Sequence, residues 1–350
     1  MVTRDFVFEP NCKFAILAIQ NVRTKVESGV VLQDGTQVLG NIPFVLEDHW
    51  KEWIGSIQFK NLQACNLLLL RSANHGWAQG QLQVAGDQVS EQLWNDLSNM
   101  FAMLRMLGSI EYESAFTMAG YVEKGNVTCR QFSQTERFNI TRGCLPWTIR
   151  EEHLQKAVEL SKAYKRFQEE TPAGQTRRFG RGCYSLKHGF ERYYASDRLH
   201  AFVRALEALI LPETGKTEKQ FVSRCALFAG PKAAQGSVEE ALREAYKMRC
   251  DVEHVHEWDR SLQAYPSVER EDVALWRTRQ METLASAAYT RILLDPTLAE
   301  DFYDENKLAS FWQKPEDEIR TAFGDICDIS ELKIVRQYDG YGRAVHPVRS

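Results

Sequence analysis

The apolar pattern of this chain changes period once, near Pro146, and that single change limits what the chain can fold into. Before it, short apolar-rich or alternating runs are broken by turn residues: FVFE, KFAILAI, SGVVLQDGTQVLGNIPFVL, IGSIQFKNLQACNLLLLRSA and GQLQVAG. That is the pattern of β-strands. Asp34-Gly35 predicts a tight hairpin, and Lys124-Gly125-Asn126 predicts another between SAFTMAGYVEKG and NVTCRQFSQTERFNIT. One helical stretch interrupts the strands from Val89 to Leu107, where Leu93, Leu97, Phe101 and Leu104 recur every three or four residues.

After Pro146 the spacing is helical almost throughout. Three Ser/Thr-x-x-Glu/Gln capping boxes, at Thr148, Thr217 and Ser237, predict helix starts. The first helix runs to about Gln168, and TPAGQTRRFGRG then reads as an exposed basic loop carrying Arg177, Arg178 and Arg181. A second helix, Asp197 to Leu211, has the broad apolar stripe of a helix inside a bundle and stops at Pro212. A third buries Phe221, Cys225 and Phe228 before Gly230-Pro231, a fourth runs into AYKMRCDVEHVHEWDR, and a fifth spans Ser267 to Leu294. Short connections favour antiparallel neighbours. The tail holds a short helical stretch and a strand-like LKIVRQY. The expected fold class is therefore α+β: a β-rich domain with one long helix over 1–147, an all-α bundle over 148–296, and an extension over 297–350.

Composition narrows the function. A net charge of −4 gives no overall basic field, so any nucleic-acid contact must be a local patch, for which Arg177, Arg178, Arg181 and Lys247 are candidates. The eight cysteines show no C-x-x-C pair and no zinc-ligand spacing, which predicts reduced thiols in a cytoplasmic protein with neither metal nor other cofactor. The N-terminus has no basic segment followed by an apolar run, and no stretch approaches the ~20 apolar residues of a membrane span. No membrane partner is expected, and the sequons at Asn126 and Asn139 read as chance.

The chemistry-bearing stretch is the fourth helix. Ala241, Ala245, Met248 and Val252 mark its buried face, and Arg249 continues the adjoining row of Leu242 and Tyr246. A charge there requires a partner, either a buried carboxylate or a bound anion. His254 follows five positions later, a rotation of about 140° on an unbroken helix, and His256 returns to the same side about 10 Å along the axis. The Arg249 and His254 side chains can cooperate only if the helix ends near Val252 or a second chain contributes.

An Arg-x4-His pair closing the fourth helix of a bundle, after RLHAFVRALEALIL with Glu207 and KQFVSRCALFAG with Arg224, resembles the HEPN domain. The likeness is to the branch found in abortive-infection and related defence proteins, and covers about residues 150–295. It implies that Arg249 and His254 are the catalytic pair of a metal-independent RNA endonuclease, with His256 a substitute within the permitted spacing and Asp251 a further candidate. It also implies a homodimer, RNA as substrate, a toxin or antiviral-defence role, and an antitoxin or trigger protein as partner. Cys250 stands where the family usually has a polar residue, and Val255 where this branch often has glycine. The alternative is a non-catalytic HEPN module that binds RNA or a protein and keeps Arg249 for structure. Glu207 and Arg224 are expected to form an ion pair within the bundle, and His49, His75, His188 and His200 read as surface or packing histidines.

Overall fold

A computed structural model describes residues 8–46, 48–74, 88–108, 110, 112–136, 147–171, 177–192, 194–324 and 327–332, with backbone alone at 258 and 259. FVFE, GQLQVAG, LKIVRQY, the 172–176 part of the basic stretch, His75 and the Asn139 sequon fall wholly or partly outside these residues. The chain is a mixed fold with a five-stranded antiparallel sheet in the N-terminal half and helices mostly in the C-terminal half, as the sequence predicts. Two compact units divide it, residues 1–137 with 146–161 and residues 138–145 with 162–350.

The first unit is built around β1 (Cys12–Gln20), whose nine residues are all buried. That explains why KFAILAI is apolar without alternation, since both faces of the strand are covered. The sheet order is β2 (Gln37–Leu39), β3 (Cys65–Ala73), β1, β4 (Ser114–Glu123), β5 (Asn126–Glu136). Phe14, Ile16 and Ala18 face a core shared with Trp50 of α1 (His49–Ile54) and Phe59 and Leu62 of α2 (Ser56–Gln63). The alternate residues of β1 face α3 (Gln88–Leu107), whose Leu97, Met100, Phe101 and Leu104 are buried. The β4–β5 turn puts Lys124 and Gly125 at φ 50° and 85°, the left-handed pair that a two-residue hairpin demands. SIQFKNLQ, read as part of a strand, is instead α2, whose Phe59 and Leu62 pack on the sheet from one helical side. SGVVLQDGTQVLG supplies only the three residues of β2 and an isolated bridge from Val31 to Gln37.

Helix α4 (Glu151–Glu169) begins in the first unit and ends in the second. At its start His153 Nδ1 accepts from the Arg150 N–H at 3.1 Å. The second unit centres on α6 (Ala195–Ile210), packed against α5 (Arg178–Glu191), α7 (Thr217–Ala226), α8 (Gln235–Glu253) and α9 (Arg270–Leu294). The capping boxes predicted at Thr217 and Ser237 do not form: α7 starts behind Lys216 and α8 behind Ala234, neither with a side-chain cap. Helices α10 (Pro296–Tyr303), α11 (Glu305–Phe311) and α12 (Glu316–Phe323) complete the unit, with Trp312 Nε1 donating to the Leu209 carbonyl at 3.0 Å.

Charged groups fix the register of these helices. Arg198 of α6 meets Glu282 of α9 at 2.9 Å, both nearly inaccessible, and Arg277 of α9 meets Glu244 of α8 at 2.7 Å. Tyr265 adds a hydroxyl bond to Glu244 at 3.0 Å. Losing one partner of such a pair strands the other charge, so the pairs specify which neighbours each helix can accept.

Helix α5 takes up the last five residues of the predicted basic loop, Arg178–Gly182. Arg178 and Arg181 lie in its first turns within 4 Å of Glu305, at 3.7 and 3.9 Å, and Arg177 precedes it, donating to the Glu170 carbonyl at 3.0 Å. Glycines at 180, 182 and 189 disguise the helix, because glycine is a poor helix former. They serve close packing: a Cβ at Gly182 would lie 2.8 Å from the Ala208 Cβ and collide with the Tyr289 hydroxyl. Gly182→Ala should therefore destabilise the protein by about 1–3 kcal/mol although alanine is the better helix former. Gly236→Ala in α8, where a Cβ meets nothing within 4 Å, should be neutral or stabilising. Denaturant melts that move both variants in the same direction would refute this packing account.

Candidate functional site at the end of α8

Arg249 is held at the inner side of the last turns of α8. Its Nη2 meets Glu207 Oε2 of α6 at 3.0 Å, its Nη1 is bonded to Glu253 one turn on, and its guanidinium lies 5.8 Å from the Tyr246 ring centroid. Arg249 and Glu207 are 13% and 15% exposed, against 45% for Glu253. The partner that the position requires is thus a carboxylate of the same bundle. Burial raises the Glu207 carboxyl above its ordinary range, with Arg249 pulling against that shift. This overturns the expected pairing of Glu207 with Arg224. Arg224 instead donates to the Ile210 and Leu211 carbonyls, at 2.5 and 3.0 Å, and so closes the C-terminus of α6.

The helix does end where cooperation with the histidines would require. Glu253 is its last residue and His254 its C-cap. The His256 N–H bonds the Asp251 carbonyl at 2.8 Å and the Val255 N–H bonds that of Val252 at 3.1 Å, the paired bonds of a Schellman motif. Such a motif needs a left-handed residue at its penultimate position, and Val255 takes it with φ 59°. Glycine fits there without cost, whereas a β-branched residue is strained. The Val255 side chain is 92% exposed and repays nothing by packing.

His254 and His256 both stand exposed on this turn with ring centroids 6.3 Å apart. Among the described residues no hydrogen bond or ion pair joins either to Arg249, whose charge is directed at Glu207 and Glu253. A single chain therefore presents the imidazoles and the guanidinium close in sequence without assembling them. Asp251 is half-buried and accepts from the Ser261 hydroxyl, tying down the 3₁₀ turn Trp258–Leu262 that follows. Lys247 is exposed on α8, apart from these contacts. Cys250 is half-buried, and burial raises its thiol, which suits a bystander better than a nucleophile.

Beside this helix end lies a groove of about 500 Å³ between α5, α6 and the last residues of α8. His188, Arg192, His200 and Arg204 line it, with Asp197 and Glu253 among its acids. Burial, then the neighbouring Arg249 and Arg204 guanidiniums, hold the His200 imidazole below the usual histidine range, which favours its neutral form. Its Nδ1 is enclosed without a hydrogen bond. His188 and His200, read from sequence as isolated, thus share one cavity. The signal for them was a repeated spacing: His188 and Arg192, and His200 and Arg204, are each four residues apart, which places each pair on one face of a helix.

Among the described residues there is no group of three or more His, Cys, Asp or Glu side chains placed to hold a metal ion, and no helix is long and apolar enough to cross a membrane. No family model, curated protein or solved structure matches the chain.

Two outcomes test this geometry. Val255→Gly should stabilise the protein by about 0.5–1 kcal/mol, the relief of left-handed strain less the entropy that glycine adds to the unfolded chain; a lower melting temperature would show that the turn is not strained. Glu207→Ala should cost about 2 kcal/mol or more by leaving a half-buried guanidinium underpaired, whereas Glu253→Ala, at a more exposed pair, should cost less than about 1 kcal/mol. Equal costs in chemical denaturation would contradict the division of labour between the two carboxylates.

Proposed function

We propose that this protein is a metal-independent RNA endonuclease of HEPN type whose site is completed by a second copy of the chain. The observation that carries the reading is the end of α8: a guanidinium fixed by Glu207 within one helical turn of a capped terminus that offers two exposed imidazoles. RNA places a 2′-hydroxyl beside each scissile phosphodiester. One imidazole removes that proton, the 2′-oxygen attacks phosphorus, and the 5′-oxygen leaves with a proton from a second imidazole. The products are a 2′,3′-cyclic phosphate and a 5′-hydroxyl. Arginine stays charged throughout and can hold two phosphoryl oxygens.

A two-fold interface through the ends of two α8 helices would supply a second Arg249 and a second set of histidines, with the same surface used by both partners. Within this reading Glu253, the more exposed of the two carboxylates, yields to the phosphate, and Glu207 keeps the arginine in place. The resemblance that supports the activity also supports a toxin or defence role in the cytoplasm, with an antitoxin or trigger protein as regulator.

One observation favours a second reading. Arg249 is already satisfied by two carboxylates of its own bundle, which is what a non-catalytic module that retains the arginine for structure would show. Cleavage decides between them. Purified wild-type protein should cut unstructured RNA to cyclic-phosphate ends, with losses of about 100-fold or more in Arg249→Ala and in His254→Ala or His256→Ala. Growth arrest on expression should follow the same order. Equal behaviour of wild type and all three variants would discard the nuclease reading.

A further inference from the structure

The groove beside α8 has features that the ion pairs of the bundle do not account for. Arg192, at the C-cap of α5, and Arg204, on the outer side of α6, are exposed and make no ion pair among the described residues, although both line the cavity. Of the two acids that line the groove, Glu253 is bonded to Arg249 and Asp197 makes no ion pair among the described residues; Arg204 also feels the charge of Glu207 on its own helix. His188 sits 3.8 Å from Glu191. His200, shifted toward its neutral form by burial and by the Arg249 and Arg204 guanidiniums, lies among them. Two exposed guanidiniums that line one groove and make no ion pair among the described residues suit an anionic oxygen group as ligand.

The same groove carries an exposed aromatic ring. Tyr184 is 63% exposed, and its ring is held edge-on by His188 at a centroid distance of 4.3 Å. A tyrosine fixed in this way is a platform on which a planar base can stack, and stacking beside a positively charged track is how single-stranded nucleic acid is gripped without regard to sequence. The volume of about 500 Å³ is in the range that small ligands or one segment of a chain fill, roughly 300–1,000 Å³. At its far side the groove reaches Val252 and Glu253, the residues just before the His254 cap.

We propose that this groove is a subsite for single-stranded RNA, in which Tyr184 stacks one base and Arg192 and Arg204 hold the phosphates that lead the strand to the end of α8. The proposal deepens the RNA-directed reading of that helix end and rests on it for the choice of ligand. It does not require cleavage, because the subsite binds whether or not the histidines react. None of the three residues belongs to the proposed catalytic group, and the two arginines and the tyrosine are exposed, so their replacement leaves the core intact.

Binding of a fluorescent fifteen-nucleotide oligouridylate to the full chain tests it, measured across a salt series. Arg192→Ala with Arg204→Ala should weaken binding at least about tenfold and flatten the logarithmic salt slope by about 1.4, the share of two single-strand phosphates. Tyr184→Ala should weaken binding about tenfold with the salt slope unchanged, and Tyr184→Phe should restore it, because stacking needs the ring and not the hydroxyl. Wild-type protein that fails to bind the oligonucleotide, or variants that match wild type in both affinity and slope, would overturn the proposal. If wild type binds, the variants fail and no RNA is cut, the subsite stands and the nuclease reading falls. If RNA is cut and the variants bind normally, the nuclease reading stands and the subsite falls.

Discussion

The ion pair between Glu207 and Arg249 is the constraint on which the placement of α8 against α6 depends. It crosses from the middle helix of the bundle to the helix that carries the histidines, and it is enclosed enough that neither charge could be left alone without penalty. Arg249 cannot swing outward without stranding Glu207, and α8 cannot slide along α6 without breaking the bond. The end of α8, its Schellman turn and the two imidazoles are thereby held at a fixed place relative to α6. The groove beside that helix end shares the fixity, since His200 and Arg204 come from the same helix as Glu207.

Helix α6 is therefore more than a buried strut. Its apolar stripe is packed on several sides, yet it also places Arg198 against Glu282 and Glu207 against Arg249 and offers its terminal carbonyls to Arg224. Each of these polar contacts goes to a different helix, α9, α8 and α7 in turn. Apolar packing alone tolerates rotation and sliding with modest loss, whereas a buried charge accepts few positions for its partner. The bundle is thus specified by a few directional contacts set within a larger area of apolar burial.

Much of this was legible in the sequence, and the failures have physical causes. The period change near Pro146, the apolar stripe of α6 and the positions of α7 and α8 could be read directly, because periodicity reports which face is buried. Periodicity does not report what that face meets. Glu207 was correctly placed inside the bundle but assigned to Arg224, when the lateral arrangement of three helices gives it to Arg249. Helix α5 was hidden because its glycines and arginines mimic a loop, while its real determinant, the close approach of Ala208 and Tyr289 to Gly182, is tertiary. The capping boxes located helix starts to within a few residues, yet the caps at Thr217 and Ser237 did not form. His188 and His200 looked isolated because their cavity is formed by helices from separate parts of the chain.

The tether between Arg249 and Glu253 has a consequence for how anions are sorted. A carboxylate four residues away on the same helix is a competitor that never diffuses off, with an effective concentration on the order of millimolar or higher. A small monovalent anion from solution must outcompete it one contact for one contact, and the fraction of time the arginine is unoccupied scales down its apparent affinity. A polymeric anion anchored elsewhere faces no such handicap, because its next charged group is delivered at comparable local concentration. If the end of α8 takes an anionic chain as proposed, Glu253 would in this sense set a threshold of valency, with little response of the guanidinium to free phosphate and a larger one to a chain.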